Sequence, residues 1–354
     1  MTDGTRLDGL LLGARARALG ELVFNTSVVG YQEILTDPSY HGQIVVLTQP
    51  EIGNYGVHEN ACESYLGRAA GLVFRSLSPQ VYHPESEMDL DAYLRSLDTT
   101  AICEVDTRYL TRKLRDGGAQ NAALFPAAID TDQARAYLAG APNMVGASLA
   151  PLVSTPRPVE HGSGSKHVVL VDFGIKLQTI KQLVQRGCRV TQVPWNTPFN
   201  AIQALNPDGI LLSNGPGDPD AVPGVREVVA RLMDHYPVMG ICLGYQIMAL
   251  ALGGTTYKLP FGHRGGNHPV KDRISNRVFI TAQNHGFAVD EESMKHPEIE
   301  ITHHSLFDGS LEGFRLKERP VFGVQFHPEA APGPRDCQPL FDQFLTLMGE
   351  GTHA

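Results

Sequence analysis

A single cysteine lies where the sequence predicts a sharp turn between two secondary-structure elements. Cys242 follows a short apolar run that ends at Gly240, and it precedes a helical pattern, in the stretch VMGICLGYQIMALALGG. A G-x-nucleophile-x-G pattern between a strand and a helix is typical of a nucleophile elbow, here with cysteine in place of serine. The positive end of the helix dipole favours the thiolate, which is the reactive form. The pattern predicts a catalytic nucleophile, and the alternative is an inert thiol in a core.

The segment VQFHPEA near the C-terminus supplies a base for this nucleophile. A catalytic thiolate needs a base, and the base needs a third group that orients it. Pro328 keeps His327 out of the helical region, and in an extended segment His327 and Glu329 point to the same side. Alone, the pattern favours a surface turn with a solvated glutamate. Together with the cysteine, it predicts His327 as the base and Glu329 as its orienting partner.

Backbone N–H groups near Cys242 are candidates for stabilising an oxyanion. The N–H of Leu243 directly follows the nucleophile and is the first candidate donor. The loop SNGPGDP follows the preceding strand, and Gly215 and Gly217 would let its backbone approach a substrate closely. The alternative for this loop is a plain turn. A phosphate-binding loop is disfavoured because the G-K-[ST] of a Walker A motif is absent.

Strands alternate with helices through residues 167–354. Apolar runs such as HVVLVDFG alternate with helical patterns such as KLQTIKQLVQRG, and shorter β-rich pieces follow Lys258. This order predicts an α/β domain with a doubly wound, mostly parallel sheet. The Pro- and Ser-rich residues 151–166 predict an exposed linker. Residues 1–150 are expected to form a separate mixed α and β domain, in which ELVFNTSVVGYQEIL is interpreted as strands with turns.

Composition excludes several classes of protein. The 354 residues suffice for two domains, and 42% hydrophobic with 19% charged residues is typical of a globular protein. A net charge of -9 argues against a nucleic-acid partner. No apolar run approaches the roughly 20 residues that span a bilayer, and the N-terminus lacks a signal-peptide pattern, so we expect a cytoplasmic protein. The five cysteines contain no C-x-x-C pair and the histidines no ligand pattern, which predicts neither disulfides nor a metal site.

With these motifs together, residues from 167 to about 350 resemble a class I glutamine amidotransferase domain. Over its whole length the chain resembles the small, glutamine-hydrolysing subunits of carbamoyl-phosphate synthetases. In the first half the resemblance is carried by FNTSVVGYQEILTDPSYHGQIV, QPEIGNYG and DTRYLTRKLRDGGAQN. In the second half it is carried by LSNGPGDP, GICLGYQ, FGHRGGNHPVKD, ITAQNHGFAVD, SLFDG and HPEAAPGP.

The resemblance implies a catalytic triad and a set of glutamine-binding residues. The triad would be Cys242, His327 and Glu329. Residues that match positions around bound glutamine are Ser39, Gly215, Gly217, Leu243, Gln246, Asn284, Gly286 and Phe287. Some of these have structural alternatives: Ser39 as a turn cap, Phe287 as a core residue and Gln246 as an exposed helix residue.

The resemblance also implies a partner and a division of labour. Ammonia from glutamine would pass through a tunnel to a large partner subunit, which uses bicarbonate, ATP and Mg²⁺ to make carbamoyl phosphate for arginine and pyrimidine biosynthesis. No cofactor is expected in this chain. The alternatives are a glutaminase subunit of another synthase, a free γ-glutamyl hydrolase, or a non-catalytic scaffold of the same fold. Relative to the family, the first apolar strand and the linker are both expected to be short.

Overall fold

The chain divides into two units, and most of the candidate site residues fall in the second. The computed structural model describes residues 1–126 and 129–350. The first unit contains Met1–Val145 and two short returning segments, Pro260–Gly265 and Ala331–Gly333. The other described residues form the second unit. The sequence does not indicate that these two segments belong to the first unit, because their membership depends on contacts with residues far away in the chain.

The first unit is built on a six-stranded sheet. Its strands are β1 (Leu10–Gly13), β2 (Ala18–Asn25), β3 (Gln43–Leu47), β5 (Gly71–Val73), β7 (Thr100–Cys103) and β8 (Gln120–Leu124), with a separate pair β4 (Glu51–Ile52) and β6 (Ser76–Leu77). The sheet order is β1-β7-β5-β3-β2-β8. The four central strands are parallel, and β1 and β8 run antiparallel at the two edges. The mixed α and β character expected for this part is therefore observed.

Helices cover the sheet of the first unit on both faces. They are α1 (Tyr31–Thr36), α2 (Leu90–Ser96), α3 (Thr107–Gly117) and α4 (Thr131–Ala139). Along β3, Ile44 and Val46 enter one apolar cluster while Val45 and Leu47 enter the other, as the two-residue period of a strand requires. The interpretation of YQEIL as strand is wrong. These residues form α1 because Tyr31, Ile34 and Leu35 share one helical face and are all buried.

Five parallel strands form the centre of the second unit. They lie in the order β18 (Val321–Val324), β13 (Val238–Ile241), β12 (Gly209–Leu212), β10 (Lys166–Asp172) and β11 (Cys188–Pro194). The helices are α5 (Ala150–Val153), α6 (Leu177–Gln185), α7 (Phe199–Ala204), α8 (Val225–His235), α9 (Leu243–Ala251) and α10 (Pro339–Glu350). Apart from β11, these strands are almost continuously apolar because helices cover both faces: Val169 packs in the cluster with α8 and α9, and Val168 in the cluster with α6 and α10.

Antiparallel strands extend the parallel sheet at both edges. On one side β9 (Val159–His161) pairs with β11. On the other side are β14 (Thr256–Asp272), β15 (Val278–Val289), β16 (Ile299–Ser305) and β17 (Leu311–Leu316). The predicted α/β fold is thus confirmed, and the β-rich pieces after Lys258 form the antiparallel extension. Residues 151–166, predicted as a linker, contribute the end of α5 and all of β9 to the second unit. Among the helices of the described residues, none is long and apolar enough to cross a membrane.

A glycine at the start of α9 lies so close to a neighbouring strand that we expect any side chain there to destabilise the fold. A Cβ atom on Gly244 would lie 2.3 Å from the carbonyl oxygen of Leu212, a backbone atom that cannot swing away. We therefore predict that Gly244→Ala lowers the free energy of unfolding by about 1–3 kcal/mol, the usual range for overpacking. Urea denaturation of the full chain measures this loss.

Gly117, at the end of α3, is the matched control. A Cβ atom there would meet nothing within 4 Å. Gly117→Ala should leave stability unchanged or raise it by about 0.5–1 kcal/mol, since alanine is the better helix former. Equal stability of the two variants would contradict the packing argument for Gly244.

Candidate active site

The predicted nucleophile lies at a strained turn between β13 and α9. Cys242 has φ 50° and ψ -104°, a conformation that a residue with a side chain rarely adopts. Gly240 and Gly244 flank it, and a Cβ atom on Gly240 would lie 2.3 Å from the sulfur of Met248. The small residues thus let strand and helix approach closely enough for the turn. The nucleophile elbow predicted from GICLG is present.

Backbone hydrogen bonds fix the elbow to the neighbouring strands. The N–H of Cys242 donates to the carbonyl oxygen of Val324 at the end of β18, at 2.9 Å. The N–H of Gly244 donates to the carbonyl oxygen of Ser213, just after β12, also at 2.9 Å. The carboxyl ends of three adjacent parallel strands therefore meet at Cys242. In open α/β sheets this edge is where ligands bind.

His327 and Glu329 form a buried hydrogen-bonded pair in the segment after β18. Nδ1 of His327 lies 2.7 Å from Oε1 of Glu329, and the two residues are 3% and 1% exposed. The N–H of His327 donates to the carbonyl oxygen of Ala282 on β15. The segment is not extended as expected, because Ala330 N–H donates back to His327 O and closes a turn at Pro328 and Glu329. The two side chains meet within this turn.

The charges around His327 favour the imidazolium. Burial by itself disfavours the charged ring, but the Glu329 carboxylate and the Cys242 thiol outweigh it and raise the pKa of His327 to about 10. Nδ1 is engaged by Glu329, and Nε2 has no hydrogen-bond partner within residues 1–126 and 129–350. Nε2 is therefore the ring nitrogen free to exchange a proton with a substrate. The raised pKa suits the ring to act as a proton donor.

Lys176 is a functional residue that the sequence analysis missed. Its Nζ lies 3.2 Å from Oε1 of Glu329 with both side chains almost fully buried, and it also donates to the carbonyl oxygen of Ala330. Burial raises the pKa of Glu329, yet Lys176 and His327 together lower it to about 2. Lys176 comes directly before α6, shortly after β10. Its place at the carboxyl end of a buried strand was the available signal.

Several predicted glutamine-binding residues lie around the thiol. Sγ of Cys242 lies 3.6 Å from the carbonyl oxygen of Asn284, to which the thiol form donates. Gln246 is one helical turn from Cys242 and is buried rather than exposed; its Nε2 donates to Phe287 O at 2.7 Å and to Gln325 Oε1 at 2.9 Å. The QNHGF segment on β15 is thereby held against α9. Gln325, also missed from sequence, contacts the sulfur itself.

The loop after β12 lies against the first residue of α9. A Cβ atom on Gly215 would lie 2.9 Å from the Leu243 side chain and 2.3 Å from Phe173 O, so only glycine fits. Gly217 has φ +94°, and a Cβ there would lie 2.5 Å from Ala147 O. The N–H of Leu243 lacks an acceptor within the helix, as the first N–H of any helix does. The loop and the start of α9 are thus in contact, and their role as an oxyanion site remains a prediction.

All the predicted contacts with glutamine remain predictions, including those of Ser39 and Gly286. Ser39 belongs to the first unit, in a 3-10 turn over Pro38–Tyr40, and its N–H donates to the Asp37 carboxylate at 2.8 Å. The cap of this turn is therefore Asp37, and Ser39 is the capped residue. Gly286 lies on β15 between His285 and Phe287 and is partly exposed.

Replacing Lys176 should destabilise the protein, because the buried Glu329 carboxylate loses one of its two cationic neighbours. Lys176→Met leaves Glu329 buried beside a single cation, and we expect a loss of about 3–5 kcal/mol in the free energy of unfolding at pH 7. The loss should shrink as the pH falls. Without Lys176 the pKa of Glu329 is higher than in the wild type, so the carboxylate takes up a proton and the buried negative charge disappears. Chemical denaturation at pH 5 and pH 7 measures both. Lys176→Met combined with Glu329→Gln should recover part of the loss; an equally unstable double variant would contradict the pairing.

Two family models match the chain in consecutive regions. The family described as "Glutamine amidotransferase class-I" matches residues 169–347, and "Carbamoyl-phosphate synthase small chain, CPSase domain" matches residues 1–124. The first match contains all the candidate residues in and around the elbow. The second contains Ser39.

Curated relatives match the chain over nearly its whole length. A carbamoyl phosphate synthase small chain of Rubrivivax gelatinosus is 48% identical over 375 residues, covering 99% of this chain and 97% of the relative. One from Escherichia coli is 46% identical over 371 residues, covering 98% and 96%. The crystal structure of a glutamine amidotransferase from Thermotoga maritima covers 53% of this chain and 100% of its own, with 16% identity and a TM-score of 0.42. With both regions matched in order, the chain belongs to the family of carbamoyl phosphate synthase small chains, with a class-I glutamine amidotransferase domain in its second half.

Proposed function

We propose that the second unit hydrolyses L-glutamine through a thioester on Cys242. The observation that carries this proposal is the strained elbow cysteine together with a buried His327 whose Nδ1 is held by Glu329. The match to the family described as "Glutamine amidotransferase class-I" supports glutamine as the substrate.

The proposed reaction begins from a thiolate and an imidazolium. The Cys242 sulfur attacks the carbon of the glutamine side-chain amide, and the N–H of Leu243 with a glycine N–H of the loop after β12 stabilises the oxyanion. His327 gives its Nε2 proton to the nitrogen as the C–N bond breaks, and ammonia leaves. Neutral His327 then takes a proton from water, and the hydroxide attacks the thioester. Glutamate leaves, and the thiolate and imidazolium are restored.

Each remaining group has a role in this scheme. Glu329 holds the imidazolium in place, and Lys176 keeps Glu329 ionised. We propose that Gln246, Asn284, Gly286 and Phe287 line the glutamine site, with Ser39 as a contact from the first unit. None of these steps requires a cofactor or a metal in this chain.

We further propose that ammonia passes to a large synthetase subunit in a heterodimer. That subunit would bind ATP and Mg²⁺ and make carbamoyl phosphate from bicarbonate, for arginine and pyrimidine biosynthesis in the cytoplasm. The small-chain names of the relatives support such a partner. Neither a nucleic acid nor a membrane has a place in this scheme.

The Cys242→Ser variant, assembled with the large chain, tests the mechanism. Glutamine-dependent carbamoyl phosphate synthesis should fall by a factor on the order of 10³ or more, because the hydroxyl is a far weaker nucleophile than the thiolate. Synthesis from added ammonium should persist, and this is the internal control for assembly. Survival of glutamine-dependent synthesis would rule out the thioester.

The pH dependence of glutamine hydrolysis tests the role of Glu329. Its carboxylate raises the pKa of His327, so activity that needs the imidazolium should persist as pH rises and decline only near about pH 10. In Glu329→Gln the pKa of His327 falls, and the alkaline limit should move to lower pH with a loss of about 10²–10⁴-fold in kcat. The Glu329→Gln, Lys176→Met variant controls for the unpaired lysine. An unchanged alkaline limit in both variants would contradict this role.

A further inference from the structure

Gln325 contacts the nucleophile but belongs to none of the roles assigned above. It is fully buried, and it lies two residues before His327 in VQFHPE. Its N–H donates to the carbonyl oxygen of Glu312 at 2.9 Å, which fixes its backbone against β17. Its side chain reaches both Sγ of Cys242, at 3.6 Å from Nε2, and the amide of Gln246. A buried polar side chain with both ends engaged by site residues calls for a chemical explanation.

The hydrogen-bond partners determine which way the Gln325 amide points. The carbonyl oxygen of Phe287 can only accept, so the group of Gln246 that faces it, at 2.7 Å, must be the amide nitrogen. This same nitrogen faces the Gln325 amide at 2.9 Å, so the atom of Gln325 at that end must be its oxygen. The end that faces Cys242 is therefore the NH₂ group. The chain Phe287 O, Gln246, Gln325 and Cys242 has one consistent orientation, which places a donor on the sulfur.

We propose that Gln325 is a positioning residue that donates a hydrogen bond to the Cys242 thiolate and so favours it over the thiol. A hydrogen bond to the charged form of a group stabilises that form. The thiol gains less, because its own proton is directed at Asn284 O. The Gln246 amide bonded to the oxygen of Gln325 polarises it and strengthens the donor at its other end. The hydrogen bond itself is independent of the proposed function, whereas its effect on the rate of turnover rests on the proposed thioester chemistry.

The same contact has a consequence for the second half of the proposed reaction. The sulfur carries no charge in the thioester and regains it as glutamate leaves. A donor on the sulfur therefore stabilises the departing thiolate and should speed hydrolysis of the thioester. Gln325 also connects the nucleophile to Gln246 by hydrogen bonds. A substrate that contacts Gln246 therefore changes the hydrogen bond on the thiolate through the two side-chain amides.

The test measures alkylation of Cys242 by iodoacetamide as a function of pH, with peptide mapping to separate it from the other cysteines. In Gln325→Met the rise of the rate constant with pH should be displaced to higher pH by about one unit, which below that rise is a fall of about tenfold in the thiolate population. Near pH 10 the rate constant should equal or exceed the wild-type value, because a less stabilised thiolate is the stronger nucleophile. Gln325→Glu keeps the shape but replaces the donor by an acceptor, and should displace the rise further.

Gln182 is the matched control, since it is also a buried glutamine of the second unit, on α6, and its oxygen accepts from Arg186. Gln182→Met should alkylate like the wild type at every pH. A Gln325→Met profile equal to the wild type would overturn the proposal. A fall of the rate constant by the same factor at pH 7 and pH 10 would also overturn it, because a loss that does not depend on pH indicates a distorted site. A comparable fall in the Gln182 variant would overturn it as well.

Glutamine hydrolysis by the wild type, measured in parallel, separates this inference from the proposed function. A wild type that does not hydrolyse glutamine, with a shifted alkylation profile in Gln325→Met, would refute the glutaminase and leave the thiolate contact standing. An active wild type with an unshifted profile would refute only the contact.

Discussion

The second unit depends on keeping a line of alternating charges away from water. Lys176, Glu329, His327 and Cys242 follow one another as cation, anion, cation and, in the reactive form, anion, and none is more than 3% exposed. Isolated charges could not remain ionised at such burial. Each is retained because its neighbour has the opposite sign, as the low pKa of Glu329 and the high pKa of His327 express.

The parallel sheet is what brings these groups together. Lys176 follows β10, Cys242 follows β13, and His327 and Glu329 follow β18. Because parallel strands end at one edge of the sheet, residues far apart in the chain become neighbours there. The antiparallel extension contributes in a different way, since β15 presents the carbonyl oxygens of Asn284 and Phe287 to Cys242 and Gln246. One edge carries the reacting groups, and the extension supplies acceptors that orient them.

Close packing sets the remaining constraint on the site. The elbow requires glycine at Gly240 and Gly244, and the adjacent loop requires it at Gly215, because carbonyl oxygens or a sulfur occupy the space of a side chain. Strand, loop and helix backbones can therefore approach one another closely around the elbow. The strain at Cys242 is sustained by hydrogen bonds to two neighbouring strands. The site thus depends on the fold around it more than on its own few residues.

Much of the second unit could be predicted from local patterns. Its alternating strands and helices and the elbow have a recognisable sequence period or spacing, whereas the His-Pro-Glu segment forms a turn instead of the predicted extended segment. The helix at Tyr31–Thr36 was misread, since a short apolar run fits a strand as well as a single helical face. The two returning segments of the first unit have no local signature at all.

Local sequence patterns establish which residues are chemically capable: a cysteine between glycines, a histidine with a nearby carboxylate, and a glycine-rich loop. Which of them act on one another follows from the folded chain, because burial and the meeting of three strand ends place opposite charges side by side. The folded structure alone identified Lys176 and Gln325, since a lysine after a strand and a glutamine before His327 acquire meaning only through contacts with Glu329 and Cys242. The chemical type of a side chain is known from the sequence alone. Its ionisation and the direction of its hydrogen bonds depend on spatial neighbours that are distant in the chain.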